Sequence, residues 1–124
     1  MTNKLLRHGQ KFNIYAVVLK RGESLECPAE SFIDQMSEAS RKSMLNVLDR
    51  HANAGPIKSP QKSRLLADGI FEFKSPQGDR LLWFYPRGRT GEVVITHGFH
   101  KGARFSVELQ RARRLRDQYL QEMS

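Results

Sequence analysis

The sequence has little of what a secreted, membrane or metal-binding protein needs. Cys27 is the one cysteine among 124 residues, so the chain cannot form an internal disulfide. Its cysteine and four histidines also lack the spacing of a metal-binding finger. No apolar run approaches the roughly 20 residues that span a bilayer. These absences predict a cytoplasmic protein without a secretory signal, a membrane segment, a metal or another cofactor.

Acidic residues are scarce as well. The chain has 13 Asp and Glu against 21 Lys and Arg, which gives a formal net charge of +8. Such an imbalance favours a polyanionic partner. The excess is concentrated between Arg80 and Arg116, where nine basic residues accompany two acidic ones. We therefore expect a nucleic-acid-binding surface in the C-terminal third, although a basic face can also serve only to keep a protein soluble.

The apolar content is sufficient for one folded domain. Hydrophobic residues make up 39% of the chain and charged residues 27%, which is not the composition of a disordered protein. The chain has no internal repeat, low-complexity tract or long linker. We predict a single domain over residues 1–124, with its core at about 12–120.

Strand-like and helix-like periodicities follow one another in the first half. Residues 12–19 are rich in β-branched and aromatic side chains and predict a strand. Pro28 then begins a region of helical spacing that a polar break at residues 37–40 divides into two short helices, or one kinked helix. Gly55-Pro56 ends this region, and the segment through Ser63 is predicted to be an exposed basic loop.

The second half predicts three short strands, over residues 70–74, 80–85 and 92–97, and a last helix from about Ser106. The turn-rich connections are too short for crossover helices, so the strands should form an antiparallel meander. Apolar residues on the last helix recur at three- and four-residue steps, opposite a face of arginines. The element order predicts an α+β fold: a four-stranded, mainly antiparallel sheet with two N-terminal helices and a basic C-terminal helix, packed over one side.

Three segments of the second half carry a family resemblance: residues 65–73 (LLADGIFEF), 80–85 (RLLWFY) and 93–101 (VVITHGFHK), followed by the basic helix. Together they resemble the HigB branch of the RelE toxin superfamily, including its phage-encoded relatives. The resemblance implies a RelE-like fold and the toxin of a type II toxin–antitoxin pair, which cuts messenger RNA in the ribosomal A site and inhibits translation. It also implies a cognate antitoxin, for which we expect a helix-turn-helix protein.

The chain departs from this family at two places. The family usually follows its histidine-glycine-phenylalanine segment with several lysines and threonines, whereas this chain has His100, Lys101 and then Gly102-Ala103-Arg104. Glu72 also stands where some RelE proteins carry a lysine, so we do not assign that position to catalysis.

Cleavage of RNA by its own 2′-hydroxyl requires proton removal, stabilisation of a phosphorane and protonation of the leaving 5′-oxygen. None of these steps needs a metal. Arg80 is the first candidate for stabilising the phosphorane, because a guanidinium binds two phosphate oxygens at once and a strand would hold it rigidly. Lys101 and Arg104 should join Arg80 at the phosphate if the third and fourth strands pair as neighbours.

His97 and His100 are the candidates for proton transfer, because an ordinary histidine titrates near neutral pH. Counting by twos along the strand places His97 on the same side as Val93 and Ile95, where it could be structural. His100 lies beyond the predicted strand and is freer to meet substrate.

Further residues are candidates for contacts with RNA. Tyr85 and Phe99 could stack on an unpaired base, whereas Trp83 is expected in the core. Basic candidates for contacts along the RNA are Lys62, Arg64, Lys74 and Arg111.

Two other functions fit the same composition. ParE proteins, which poison DNA gyrase without cutting nucleic acid, share this fold and a basic surface. A non-toxic phage or accessory RNA-binding protein would also carry a basic helix. Growth arrest on expression would separate both toxins from the third possibility.

Overall fold

The computed structural model describes residues 1–123, which form seven strands and three helices. In chain order they are β1 (Thr2–His8), β2 (Asn13–Arg21), β3 (Ser24–Glu26), α1 (Pro28–Gln35), α2 (Glu38–Ala54), β4 (Ser63–Ala67), β5 (Ile70–Lys74), β6 (Asp79–Phe84), β7 (Glu92–His100) and α3 (Phe105–Glu122). None of these helices is long and apolar enough to cross a membrane.

The strands form one mixed sheet in the order β1-β2-β7-β6-β5-β4, and β3 adds to β2 outside this path. Strands β4 to β7 make an antiparallel meander, in which β5 to β7 were predicted and β4 was not. The β1–β2 hairpin joins the meander through a short parallel ladder, in which Asn13–Ala16 pair with Glu92–Ile95. Helices α1 and α2 lie in the long connection that a parallel pairing requires.

A two-residue turn joins β4 to β5. Asp68 and Gly69 both have positive φ, at 53° and 74°, which is the left-handed conformation of a type I′ hairpin turn. Asp and Gly tolerate this conformation better than other residues do. The Asp-Gly dipeptide thus sets the strand pairing in which Arg64 lies opposite Glu72.

Helices cover both faces of the sheet. Helices α1 and α2 pack on the face that carries Leu81 and Trp83, whereas α3 packs on the face that carries Leu82 and Phe84. The prediction that all helices lie over one side is therefore wrong. The physical reason is visible in β6, whose continuous apolar run belongs to a strand that is buried on both faces.

The α+β class is confirmed, but the predicted count of four strands is wrong. The additional strands are β1, β3 and β4. Strands β1 and β4 lie at the two edges of the sheet and are mostly exposed or half-buried, so their sequences lack a clear apolar alternation. The break between α1 and α2 is confirmed, with Ser37 accepting a hydrogen bond from the backbone of Ser40.

Candidate functional site

Two arginines share one buried carboxylate at the end of the sheet where β4 and β6 begin. Arg64 donates from Nε to Glu72 Oε1 at 2.7 Å, and Arg80 donates from Nη1 to both Glu72 oxygens at 3.3 and 3.2 Å. The Glu72 side chain is fully buried, whereas those of Arg64 and Arg80 are 46% and 24% exposed. One negative charge thus accompanies two positive charges that reach solvent.

The strand register brings these three side chains together. Arg64 lies directly opposite Glu72 in the β4–β5 ladder. Glu72 alternates with Phe71 and Phe73, which point to the α1 and α2 face, so its carboxylate lies on the α3 face. Arg80 lies on the same face by the same alternation along β6.

This arrangement leaves hydrogen-bond donors for a ligand. A guanidinium carries five N–H donors. Within residues 1–123, Arg80 uses Nη1 and Arg64 uses Nε, and both bond only to Glu72. The remaining donors are fixed in direction by the carboxylate and the strands. The cluster can therefore hold an anion with two oxygens, such as a phosphodiester, without first ordering the side chains.

The loop from β7 to α3 adds positive charge at this end of the sheet. The backbone N–H of Lys101 donates to Gly78 O at 2.9 Å, and the Lys101 side chain crosses Gly78 so closely that a Cβ there would meet its Cδ at 2.7 Å. Phe99 is the ladder partner of Arg80, and its ring lies 6.5 Å from that of Phe105 at the start of α3. We call Arg64, Glu72, Arg80, Lys101 and Arg104 the basic end of the sheet.

His100 lies on the opposite face from Arg80. Its ladder partner is Asp79, and its Nδ1 donates to Asp79 Oδ1 at 2.9 Å. Asp79 also accepts a hydrogen bond from the buried Ser40 hydroxyl of α2, and Ser40 and Ser75 are bonded at 2.7 Å. The His100 side chain is nevertheless 56% exposed at the rim of the sheet.

His97 lies on the α3 face, so its predicted placement beside Val93 and Ile95 is wrong. A β-bulge causes the difference: Leu82 pairs with His97 but Trp83 pairs with Ile95, and the extra residue reverses the alternation. His97 is 1% exposed, and burial, helped by the nearby Arg111 charge, lowers its pKa to about 4. Its Nε2 lies 3.7 Å from Glu108 Oε2 of α3.

A comparison with known families shows the family of the chain. The model of the family described as "Phage derived protein Gp49-like (DUF891)" matches residues 31–116, which include α2, the meander and the basic end. The chain belongs to the Gp49-like family. This family is known as one of RelE/HigB-like toxins of toxin–antitoxin systems, and membership is consistent with a toxin that has an antitoxin partner. No curated protein matches the chain.

The aromatic candidates of this Gp49-like protein have separate environments. Phe99 is 6% exposed and packs in the core beneath α3. Tyr85 is 38% exposed on the other face, within 5.7 Å of the Phe12 ring and 5.0 Å of the Trp83 ring. Burial raises the pKa of the Tyr85 phenol. Trp83 is core, as predicted, at 1% exposed.

The arginines of α3 are not one uniform solvent-exposed row in this Gp49-like protein. Arg116 donates to the Asp68 backbone oxygen and, at 3.1 Å, to its carboxylate, and Arg113 Nε lies 3.4 Å from the same carboxylate. These contacts tie α3 to the β4–β5 turn. Arg111 lines a cleft together with His97, Gly98 and residues of α1.

Sequence reasoning missed Glu72 and Asp68 as organising residues. Glu72 was not assigned to catalysis because it stands where some RelE proteins carry a lysine. Period two separates Glu72 from the face of Phe71 and Phe73, but only the strand register places it within cross-strand reach of Arg64 and Arg80. Within residues 1–123, no group of three His, Cys, Asp or Glu side chains could hold a metal ion.

Proposed function

We propose that this Gp49-like protein is a toxin that cuts messenger RNA on the ribosome without a metal and so inhibits translation. The observation that carries the proposal is the Arg64–Glu72–Arg80 cluster, in which one buried carboxylate orients two partly exposed guanidinium groups on rigid strands. Family membership and the net charge of +8 support the same conclusion.

The reaction we propose is transesterification within the RNA. The 2′-oxygen loses its proton and attacks the adjacent phosphorus, and the bond from phosphorus to the 5′-oxygen then breaks. The products are a 2′,3′-cyclic phosphate and a 5′-hydroxyl, which takes up a proton. Arg80 and Arg64 stabilise the additional negative charge of the phosphorane, because their donors are already oriented where that charge develops.

Two groups at this end can carry the protons. Lys101 is exposed beside the β5–β6 turn, and His100 is exposed at the rim, where Asp79 fixes its ring. His97 is unsuited to the task because it is buried and neutral at physiological pH. A pH profile of cleavage by His100→Gln tests His100: loss of the neutral-pH inflection assigns proton transfer to His100, and an unchanged inflection would exclude it.

The decisive test is cleavage of a translated message on purified ribosomes, read by primer extension. Arg80→Ala should reduce the rate by about 10²- to 10³-fold, by analogy with loss of a single transition-state donor. Arg114→Ala is the matched control, because Arg114 is exposed on α3 and should retain full cleavage. Urea unfolding of each variant reports whether the fold is intact.

Other outcomes redirect the assignment. Full cleavage by a folded Arg80→Ala protein would move the phosphate site to α3. Growth arrest with intact message would favour a ParE-like gyrase inhibitor. Absence of both arrest and cleavage, with RNA still bound, would favour an accessory RNA-binding protein.

We also propose a helix-turn-helix antitoxin that neutralises the protein by covering the basic end or displacing α3. The apolar stripe that holds α3 to the sheet is narrow and is formed by Leu109, Ala112, Leu115 and Tyr119. Co-expression with the adjacent gene should restore growth and yield a stable complex on co-purification. Persistent toxicity without a complex would count against this partner.

A further inference from the structure

A second basic site lies on the other side of the sheet, between α2 and the segment that precedes β4. It is a cleft of about 430 Å³ whose lining includes three cationic residues, Arg50, Lys62 and Lys74. No acidic residue lines it. Its volume falls within the range of about 300–1,000 Å³ that is typical of small-ligand pockets.

The three cations of this cleft have no partner within the protein. Across residues 1–123, no ion pair or side-chain hydrogen bond involves Arg50, Lys62 or Lys74. Arg113 and Arg116 of α3 differ in this respect, because both contact Asp68. Unpaired like charges around one cleft repel each other, so an anion that enters it relieves this repulsion.

The rest of the lining suits a sugar and base more than a simple ion. On α2, Ser43, Val47 and Arg50 lie at steps of three and four residues and therefore share one helix face. The Ser43 hydroxyl can bond a ribose hydroxyl. Val47 and Pro76 supply an apolar surface against which a ribose or base can rest.

The cleft is close in the chain to the basic end of the sheet. Lys74 is the last residue of β5 and pairs with Arg80 at the start of β6. The cleft lies on the α2 side and the Arg64–Glu72–Arg80 cluster on the α3 side. Lys74 shares the face of Arg80 by alternation along β5, so it lies at the boundary between the two sites. The short β5–β6 turn separates the two sites, so one extended strand could reach both.

We infer that this cleft binds a backbone phosphate and its nucleoside from single-stranded RNA, next to the part of the same strand that is cut at Arg80. This inference rests on the proposed function, since it takes the RNA of the cleavage site as its ligand. The cleft increases the affinity for RNA and takes no part in the cleavage step.

The experiment measures binding of a short single-stranded RNA whose 2′-oxygens are methylated, so that it cannot be cut. Fluorescence anisotropy at several salt concentrations gives the affinity and its salt dependence. The test variant carries Arg50→Ser, Lys62→Ser and Lys74→Ser. The matched control carries Lys11→Ser, Lys20→Ser and Arg114→Ser, which removes the same charge from exposed positions outside the cleft.

The cleft variant should lower the slope of log affinity against log salt by about 0.7, because the cleft holds one phosphate. At about 0.1 M salt this corresponds to a loss of affinity on the order of 5-fold. The control should change both quantities much less. Lys62→Glu is a second, single test if the triple variant unfolds, and it should also weaken binding.

Each alternative result has a defined meaning. Equal losses in the cleft and control variants would overturn the site, because net charge alone would explain them. An equal loss for duplex DNA would overturn the assignment to single-stranded RNA, and unchanged RNA binding with weaker binding of the antitoxin would assign the cleft to a protein. If the cleft variant loses RNA binding and the control variant does not, while the wild-type protein cuts no message, the cleft is supported and the proposed function is refuted.

Discussion

The two arginines that hold Glu72 should be strongly coupled in stability. Glu72 is fully buried, and Arg64 and Arg80 are its charged partners. Removing one arginine leaves the other in place, so Arg64→Ala or Arg80→Ala should each lower the free energy of unfolding by about 1 kcal/mol. The partial exposure of both guanidinium groups keeps these values modest.

Removing both arginines leaves an unpaired carboxylate in the interior. The double variant should lose about 3–5 kcal/mol, which exceeds the sum of two modest single effects and is a large share of the stability of a small domain. Adding Glu72→Gln removes the uncompensated charge while keeping the shape of the side chain. We expect this triple variant to regain most of the loss.

Urea unfolding followed by tryptophan fluorescence suits this measurement, because Trp83 is the single tryptophan and is buried on β6, the strand that carries Arg80. A double variant that loses no more than the sum of the singles would refute the coupling. So would a triple variant that is no more stable than the double variant. Either result would mean that Glu72 is held by its surroundings and does not depend on the arginines.

Three further predictions concern stability and the attachment of α3. The pKa of His97 is lowered by burial from 6.5 to about 4, so its contribution to stability is present above pH 6.5 and is lost as the pH falls toward 4. His97→Gln should therefore flatten the dependence of the urea midpoint on pH in that window, and an unchanged pH dependence would contradict this. Asp68→Asn keeps the left-handed turn but removes the charge that holds Arg116, and amide hydrogen exchange in α3 should accelerate about 2- to 5-fold. Ser40→Ala should destabilise by about 1–3 kcal/mol in thermal melts, because it leaves buried Asp79 oxygens with fewer donors; an unchanged melting temperature would contradict this.

The local elements were predictable where the pattern was strong. The meander, the break between α1 and α2 and the apolar stripe of α3 all follow from periodicity and turn residues. The edge strand β1 was not predictable in the same way, since Leu5 and Leu6 are neighbours that lie on opposite faces and give no alternation. The face on which α3 packs depends on burial of both sides of β6, which element order alone does not specify.

The candidate site was predictable only in part. Arg80 was selected from its residue type and its position at the start of a strand. Its partner Glu72 became apparent only when the register was known, because the interaction joins two strands and a buried charge has no local signature. A single bulged residue moved His97 to the other face, and no rule of alternation detects a bulge in advance.

The parallel ladder between β2 and β7 has a consequence for how the protein is made. It joins residues that lie 79 positions apart in the chain, whereas the meander forms from neighbours in sequence. Contacts between distant residues form late, since the chain must close a long loop first. During synthesis the β1–β2 hairpin can therefore join the rest of the sheet only after β7 has left the ribosome. The basic end needs β4 to β7 and the start of α3, so it is complete only after residues up to about 105 have emerged.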